Sequence, residues 1–116
     1  MDSPLSGAEL AELESTLLPA LERHHLRLLA HGLRTLQTIA GRREGAPPEP
    51  EAIEAWALTH PAIAGDVAFA RAFAAQLQSA GDQLTAIGLS SERSALGLEL
   101  GELISWAQAQ ADARLR

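Results

Sequence analysis

The sequence contains no cysteine, lysine or tyrosine, and only two tryptophans and two phenylalanines occur among its 116 residues. Without cysteine, the chain cannot form disulfides, thiolate nucleophiles or cysteine-ligated metal sites. That absence fits a reducing compartment, so we expect a cytoplasmic protein. No apolar run approaches the ~20 residues of a membrane-spanning helix, and the acidic start MDSPLSGAELAELE does not resemble a signal peptide. The net charge of −6 argues against a nucleic-acid partner.

What the sequence does contain is typical of an all-α fold. Hydrophobic residues make up 47% of the chain and charged residues 21%, as in an ordinary globular protein. Alanine and leucine, both strong helix formers, dominate. Apolar residues recur with the 3.6-residue period of a helix, and no stretch shows the strict alternation of a strand. We therefore predict one domain over 1–116, a small bundle of three long helices and one short helix with antiparallel neighbours.

The first long helix is predicted to begin near Gly7 and to end at Gly41. Ser6 and Glu9 have the spacing of a capping box, in which each side chain satisfies the other residue's backbone N–H. Pro19 interrupts the helical pattern, but the apolar phase continues beyond it. The sequence therefore slightly favours a kink at Pro19 over a break.

The rest of the chain divides at its glycines and prolines. Residues 41–50, GRREGAPPEP, are predicted to form a loop, followed by a short helix at about 50–59. A longer helix at about 64–87, with Gly88 as its C-cap, and a last helix at about 91–114 complete the prediction.

The segment ERHHLRLLAHGLRTLQTIAG, residues 22–41, carries three of the four histidines, and five of the nine arginines lie within 23–43. At about 100° per residue, His31 falls opposite the apolar stripe that would face the core. That stripe consists of Leu26, Leu29, Leu33, Leu36 and Ala40. The simplest interpretation is a solvated helix face. The alternative is a basic binding surface for a partner protein with an acidic surface, formed by the following residues: Arg23, Arg27, His31 and Arg34.

The spacing around His31 resembles that of histidine-containing phosphotransfer domains, which are helical bundles of similar size. Their signature places a leucine two residues after the exposed histidine, a basic residue three after it and a glycine further on, as in His31, Leu33, Arg34 and Gly41. Thr35 departs from the pattern, because the family has glycine at that position. The resemblance implies that His31 accepts a phosphoryl group and that Arg34 supports it.

Metal sites are not predicted. His24 and His31 are seven residues apart, which is roughly 10 Å along a helix, too far for one zinc ion with ~2 Å bonds. Glu22 and His25 form one E-x-x-H, half of the di-iron bundle motif, but the sequence has no second copy. We expect no metal and no cofactor.

The last predicted helix carries a candidate dimer seam at Gly97, Leu98 and Gly101. Glycines four residues apart permit close approach of two helices, and Leu98 points away from the predicted core stripe. Acidic residues on this helix complement the basic segment, within one chain or between two: Glu92, Glu99 and Glu102. Homodimerisation is therefore a second expectation.

These observations favour a non-enzymatic helical protein that binds another protein, or itself, as a scaffold or assembly module. The alternative is a phosphotransfer protein with His31 as the phosphoacceptor.

Overall fold

The computed structural model describes residues 5–114, and this part of the chain contains five α-helices and no β-strand. The predicted all-α bundle is therefore confirmed. A short 3₁₀ turn at Ala95–Gly97 precedes the last helix. Within the described range, no helix is both long and apolar enough to cross a membrane. The helices are α1 (Gly7–Glu14), α2 (Ala20–Ala40), α3 (Pro50–Leu58), α4 (Val67–Ser91) and α5 (Leu100–Arg114).

The first long helix is divided in two at Pro19, so the predicted kink is wrong. The capping box is confirmed: the Glu9 N–H donates to Ser6 Oγ and the Ser6 N–H donates to Glu9 Oε1, each at 3.1 Å. Helix α1 ends at Glu14, and Pro19 immediately precedes the first residue of α2. Because proline disfavours the helical region for the residue before it, the chain enters α2 with a break.

Helix α2 is the centre of the bundle and contacts each of the other four helices. The predicted core stripe is confirmed, since Leu26, Leu29, Leu33 and Leu36 are all buried. The helix ends at Gly41 as predicted, where the backbone adopts φ +69°, a conformation that glycine accepts without steric cost.

The second half of the chain follows the prediction for the short helix α3 and departs from it after Gly88. Helix α4 continues past Gly88 to Ser91, because the chain reverses at Glu92, where φ is +57°. The Arg93 N–H then donates to the Gly88 carbonyl at 2.9 Å. This reversal takes up the residues with which the last helix was predicted to start, so α5 begins at Leu100.

The predicted loop at 41–50 is hydrogen-bonded to the 3₁₀ turn and to the residue that precedes this turn. Gly45, with φ +98°, donates its N–H to Ser94 Oγ at 2.9 Å. Its carbonyl accepts from the Leu96 N–H at 3.1 Å. Arg42 spans the loop by donating to the carbonyls of Glu44 and Ala46, both at 2.9 Å. These bonds give a glycine- and proline-rich segment a defined conformation.

One polar side chain, that of Gln37, lies among the buried residues of the described chain. Its amide Nε2 donates to the Leu96 carbonyl at 2.8 Å, and its Oε1 accepts from Arg34 Nη1 at 2.9 Å. Arg34 in turn donates to Glu9. This polar relay connects α1, α2 and the 3₁₀ turn.

Candidate functional site

An open groove of about 570 Å³ lies between α2 and α4. Helix α2 supplies eight of its lining residues: Leu21, His24, His25, Leu28, Leu29, His31, Gly32 and Thr35. Helix α4 supplies the other six: Phe73, Gln76, Leu77, Ser79, Ala80 and Gln83. We call this feature the α2–α4 groove.

The floor of the α2–α4 groove is apolar and closely packed. Leu29 and Leu77 are buried there. The two helices approach closely at Gly32, where an added Cβ would lie 3.1 Å from Ala80 Cβ. A side chain at position 32 would require Ala80 to shift by a few tenths of an ångström, so Gly32 permits the close approach of the two helices at this point.

The walls of the groove expose apolar side chains. Leu21 is 64% exposed and Leu28 is 57% exposed, although both are large hydrophobic residues. On the opposite wall, Phe73 stacks on Trp56 of α3, with ring centroids 6.1 Å apart and ring planes 15° apart. One wall of the groove therefore exposes leucine side chains, and on the other wall Phe73 is supported by Trp56 of α3.

The polar side chains of the groove are histidines, amides and hydroxyls. His25 Nε2 lies 3.2 Å from Gln83 Oε1, which bridges α2 and α4. The His25 ring also lies 5.7 Å from that of Trp106 on α5. Thr35 donates its hydroxyl to the His31 carbonyl at 2.8 Å. None of the fourteen lining residues is an aspartate, glutamate or arginine.

The predicted basic surface is divided by the fold. Arg27 Nη2 lies 2.5 Å from Glu14 Oε1, and Arg34 Nη2 lies 2.5 Å from Glu9 Oε2. Helix α1 therefore supplies carboxylates to both arginines, whereas the sequence suggested the acidic side of the last helix or an external partner. Arg23 is half-buried, and His31 faces the α2–α4 groove.

The Arg34–Glu9 contact has an electrostatic consequence. Hydrogen bonds from the Arg34 side chain, followed by the bond from the Ser6 backbone N–H, hold the pKa of Glu9 below its ordinary value of 4.5. Glu9 thus acts both as a helix cap and as an ion-pair partner.

His31 does not lie on a fully solvated face. It is half-buried in the groove, because α4 crosses α2 at the neighbouring Gly32. Glu22 and His25 also diverge. Glu22 pairs with Arg114 of α5, whereas His25 contacts Gln83. Among residues 5–114, no group of three or more histidines and carboxylates is placed to hold a metal ion.

The three residues of the predicted dimer seam do not share a helix face. Leu98 is only 2% exposed, so its predicted outward orientation is wrong. Gly97 belongs to the 3₁₀ turn, where an added Cβ would lie 2.7 Å from Ser94 Oγ, and Gly101 is exposed in α5. The error follows from the later start of α5. Homodimerisation itself stays a prediction.

The sequence does contain a signal for the groove. Residues 21, 24, 28, 31 and 35 recur at spacings of three and four, which places them on a second face of α2 beside the core stripe. Exposed and buried leucines have the same chemistry, so the sequence alone does not distinguish Leu21 and Leu28 from the leucines of the core.

A family model described as "NDH complex assembly factor CRR9" matches residues 5–114. No curated protein and no solved structure matches the chain.

The matching family is not that of histidine-containing phosphotransfer domains, so the resemblance around His31 is wrong. The structure supplies physical reasons. Arg34, which would support a phosphoryl group, is already bonded to Glu9 and Gln37. His31 is half-buried beside α4 instead of standing exposed to a docking domain. The short spacing pattern therefore occurs here in a leucine- and arginine-rich helix of a protein from a different family.

Proposed function

Because this chain belongs to the NDH complex assembly factor CRR9 family, we propose that it assists assembly of an NDH complex by binding a protein partner and catalyses no reaction. The family model spans almost the whole chain, residues 5–114. An assembly factor acts on proteins, which agrees with the protein partner expected from the sequence. The cytoplasmic location stays a prediction.

The observation that carries the proposal is the α2–α4 groove with its two exposed leucines. Covering apolar surface releases roughly 25 cal/mol for each Å² removed from water. Leu21 and Leu28 lie beside a depression and are anchored on a rigid helix, so a partner can cover them without rearranging the fold.

The composition of the groove supports a binding role over a catalytic one. Its titratable side chains are the three histidines, and no carboxylate lines the groove to orient one of them as a general base. His25 faces the neutral amide of Gln83. The polar groups can therefore form hydrogen bonds to a partner, but they do not form a nucleophile–base pair.

The test is complementation in the native host. Deleting the gene should lower the amount of assembled NDH complex on native gels, and the wild-type chain should restore it. Leu28→Arg should fail to restore it, because the arginine side chain would protrude into the groove. Leu89→Arg is the matched control, since Leu89 is 79% exposed and lies outside the groove.

Both variants should melt within about 3 °C of the wild type, since surface substitutions change the free energy of unfolding by no more than about 0.5 kcal/mol. An NDH complex that assembles normally without the gene would refute the assembly role. Normal complementation by Leu28→Arg would instead refute the groove as the binding surface.

A further inference from the structure

We propose that the α2–α4 groove binds one amphipathic α-helix of the partner, whose docking face is apolar and carries no charged side chain. This inference rests on the proposed function and specifies the chemistry of the partner.

The first support is the spacing of the two walls. On α2, the groove-facing positions 21, 24, 28, 31 and 35 follow each other at intervals of three and four. On α4, positions 73, 76, 80 and 83 do the same. Rows with this spacing form the ridges and grooves by which helices pack against each other. Each wall therefore offers a helix-packing seam to a third helix.

The second support is backbone hydrogen bonding. A segment lying on the apolar floor of Leu29, Gly32 and Leu77 would lose water from its peptide groups. An extended segment would leave the peptide groups that face this floor unpaired, because the side chains of the floor carry no donors or acceptors. A helix satisfies its own backbone internally. The floor thus favours a helical occupant.

The third support is charge. Aspartate, glutamate, lysine and arginine make up 21% of the chain, so about three of fourteen residues would carry a charge at the average frequency, yet none of the lining residues does. A charged side chain buried on the partner's docking face would lose hydration and would find no carboxylate or guanidinium among the lining residues to pair with. Leucine, alanine and short uncharged polar side chains match the groove.

The size of the groove favours a single helix over a second copy of this chain. From Leu21 to Thr35 the α2 wall is about 21 Å long at 1.5 Å per residue, which corresponds to about four turns of a partner helix. Stable dimer interfaces bury about 800 Å² on each partner, more than a groove one helix wide and four turns long supplies.

Photo-crosslinking in the native host identifies the occupant. The full chain would carry benzoylphenylalanine in place of Leu28, or in place of Leu89 as the control, and the crosslinked peptides would be sequenced by mass spectrometry. We expect position 28 to crosslink to one segment of an NDH complex subunit with an uncharged apolar face at three- and four-residue spacing. Position 89 should not crosslink to that segment.

Direct binding then tests the helical form. A synthetic peptide of the crosslinked segment should gain helical circular dichroism on binding the purified full chain. Leu28→Arg and Gln76→Trp should each weaken binding at least tenfold, the second by filling the groove without adding charge. Leu89→Arg should bind like the wild type.

Three results would overturn the inference. These are crosslinks from position 28 to another copy of this chain, crosslinks to a segment with a charged or non-helical docking face, and no crosslink from position 28. If gene deletion still lowers the amount of NDH complex, each of these refutes the helical occupant alone. If deletion has no effect, the proposed function fails as well.

Discussion

At the scale of single residues, Arg34 joins α1 to the buried Gln37 of α2. Its guanidinium donates to Glu9 Oε2 and to Gln37 Oε1, and the side chain is only 15% exposed. A cation in this position stabilises α1 on α2 and is no longer available to an external anion. The sequence shows that residues 23–43 are basic. It does not show which carboxylate pairs with Arg34, because that depends on the direction in which the chain turns between α1 and α2.

The Glu9–Arg34 contact makes stability depend on pH. The folded-state pKa of Glu9 lies below 4.5, so its stabilisation is fully present above pH 4.5 and is lost as the pH falls through the folded-state pKa. The wild type should therefore be more stable than Glu9→Gln near neutral pH, and the difference should shrink below pH 4.5. Urea unfolding at pH 7, 4.5 and 3.5 measures it.

The Arg34→Gln background provides the control for this comparison. In that background, the effect of Glu9→Gln on the free energy of unfolding should depend much less on pH, since the bonds from Arg34 are the largest cause of the lowered pKa of Glu9. An unchanged pH dependence without Arg34 would assign the effect to the helix cap instead.

At the scale of helices, Gly88 is a position where the turn that follows α4 packs directly against the helix. An added Cβ would lie 2.5 Å from the Arg93 carbonyl oxygen, a distance that real contacts do not permit. Gly88→Ala should therefore destabilise the fold by about 1–3 kcal/mol, although alanine is the better helix former. Thermal unfolding should show a Tm several degrees lower.

Gly101→Ala is the matched control for Gly88→Ala. Gly101 lies near the start of α5, and an added Cβ meets no atom within 4 Å. This substitution should leave stability unchanged or raise it slightly. Equal effects of the two substitutions would mean that helix propensity, and not the turn over Gly88, decides the outcome.

The same two glycines show how far the sequence predicts the helices. Periodicity predicted the all-α class and the core stripe of α2, and the glycines and prolines predicted the loop at 41–50 and the short helix α3. These features depend on neighbours within a few residues. Sequence patterns misplaced the end of α4 and the start of α5, because the turn at Glu92 is stabilised by contacts with Gly88 and with the distant Gly45. The groove was missed for a similar reason, since it exists only where two separate helices meet.

At the scale of the whole molecule, the short N-terminal helix belongs to the same core as the long helices. Leu5, Leu13 and Leu18 are all buried with the leucines of α2. Removing one of them should weaken the entire fold and not only α1.

Leu13→Ala and Leu17→Ala make the same chemical change and test whether α1 unfolds together with the long helices. Leu13 is 0% exposed, so its truncation should lower the free energy of unfolding by about 2–5 kcal/mol. Leu17 is 100% exposed, and its truncation should change stability by less than about 0.5 kcal/mol. Urea unfolding followed by circular dichroism, which reports on all helices at once, gives both values. A small loss for Leu13→Ala would mean that α1 is an appendage that detaches separately.

The polar relay through Gln37 has a further consequence for how the bundle is aligned. Leucine and alanine side chains are nearly interchangeable, so sliding one helix by a turn, about 5.4 Å, can recreate similar apolar contacts. The same slide would leave the Gln37 amide and the Leu96 carbonyl without partners inside the core, which is costly. The Gln37 hydrogen bond thus favours one register of helix packing over others with similar apolar contacts. Because Leu96 lies between α4 and α5, the same bond also holds the connection between these two helices in place.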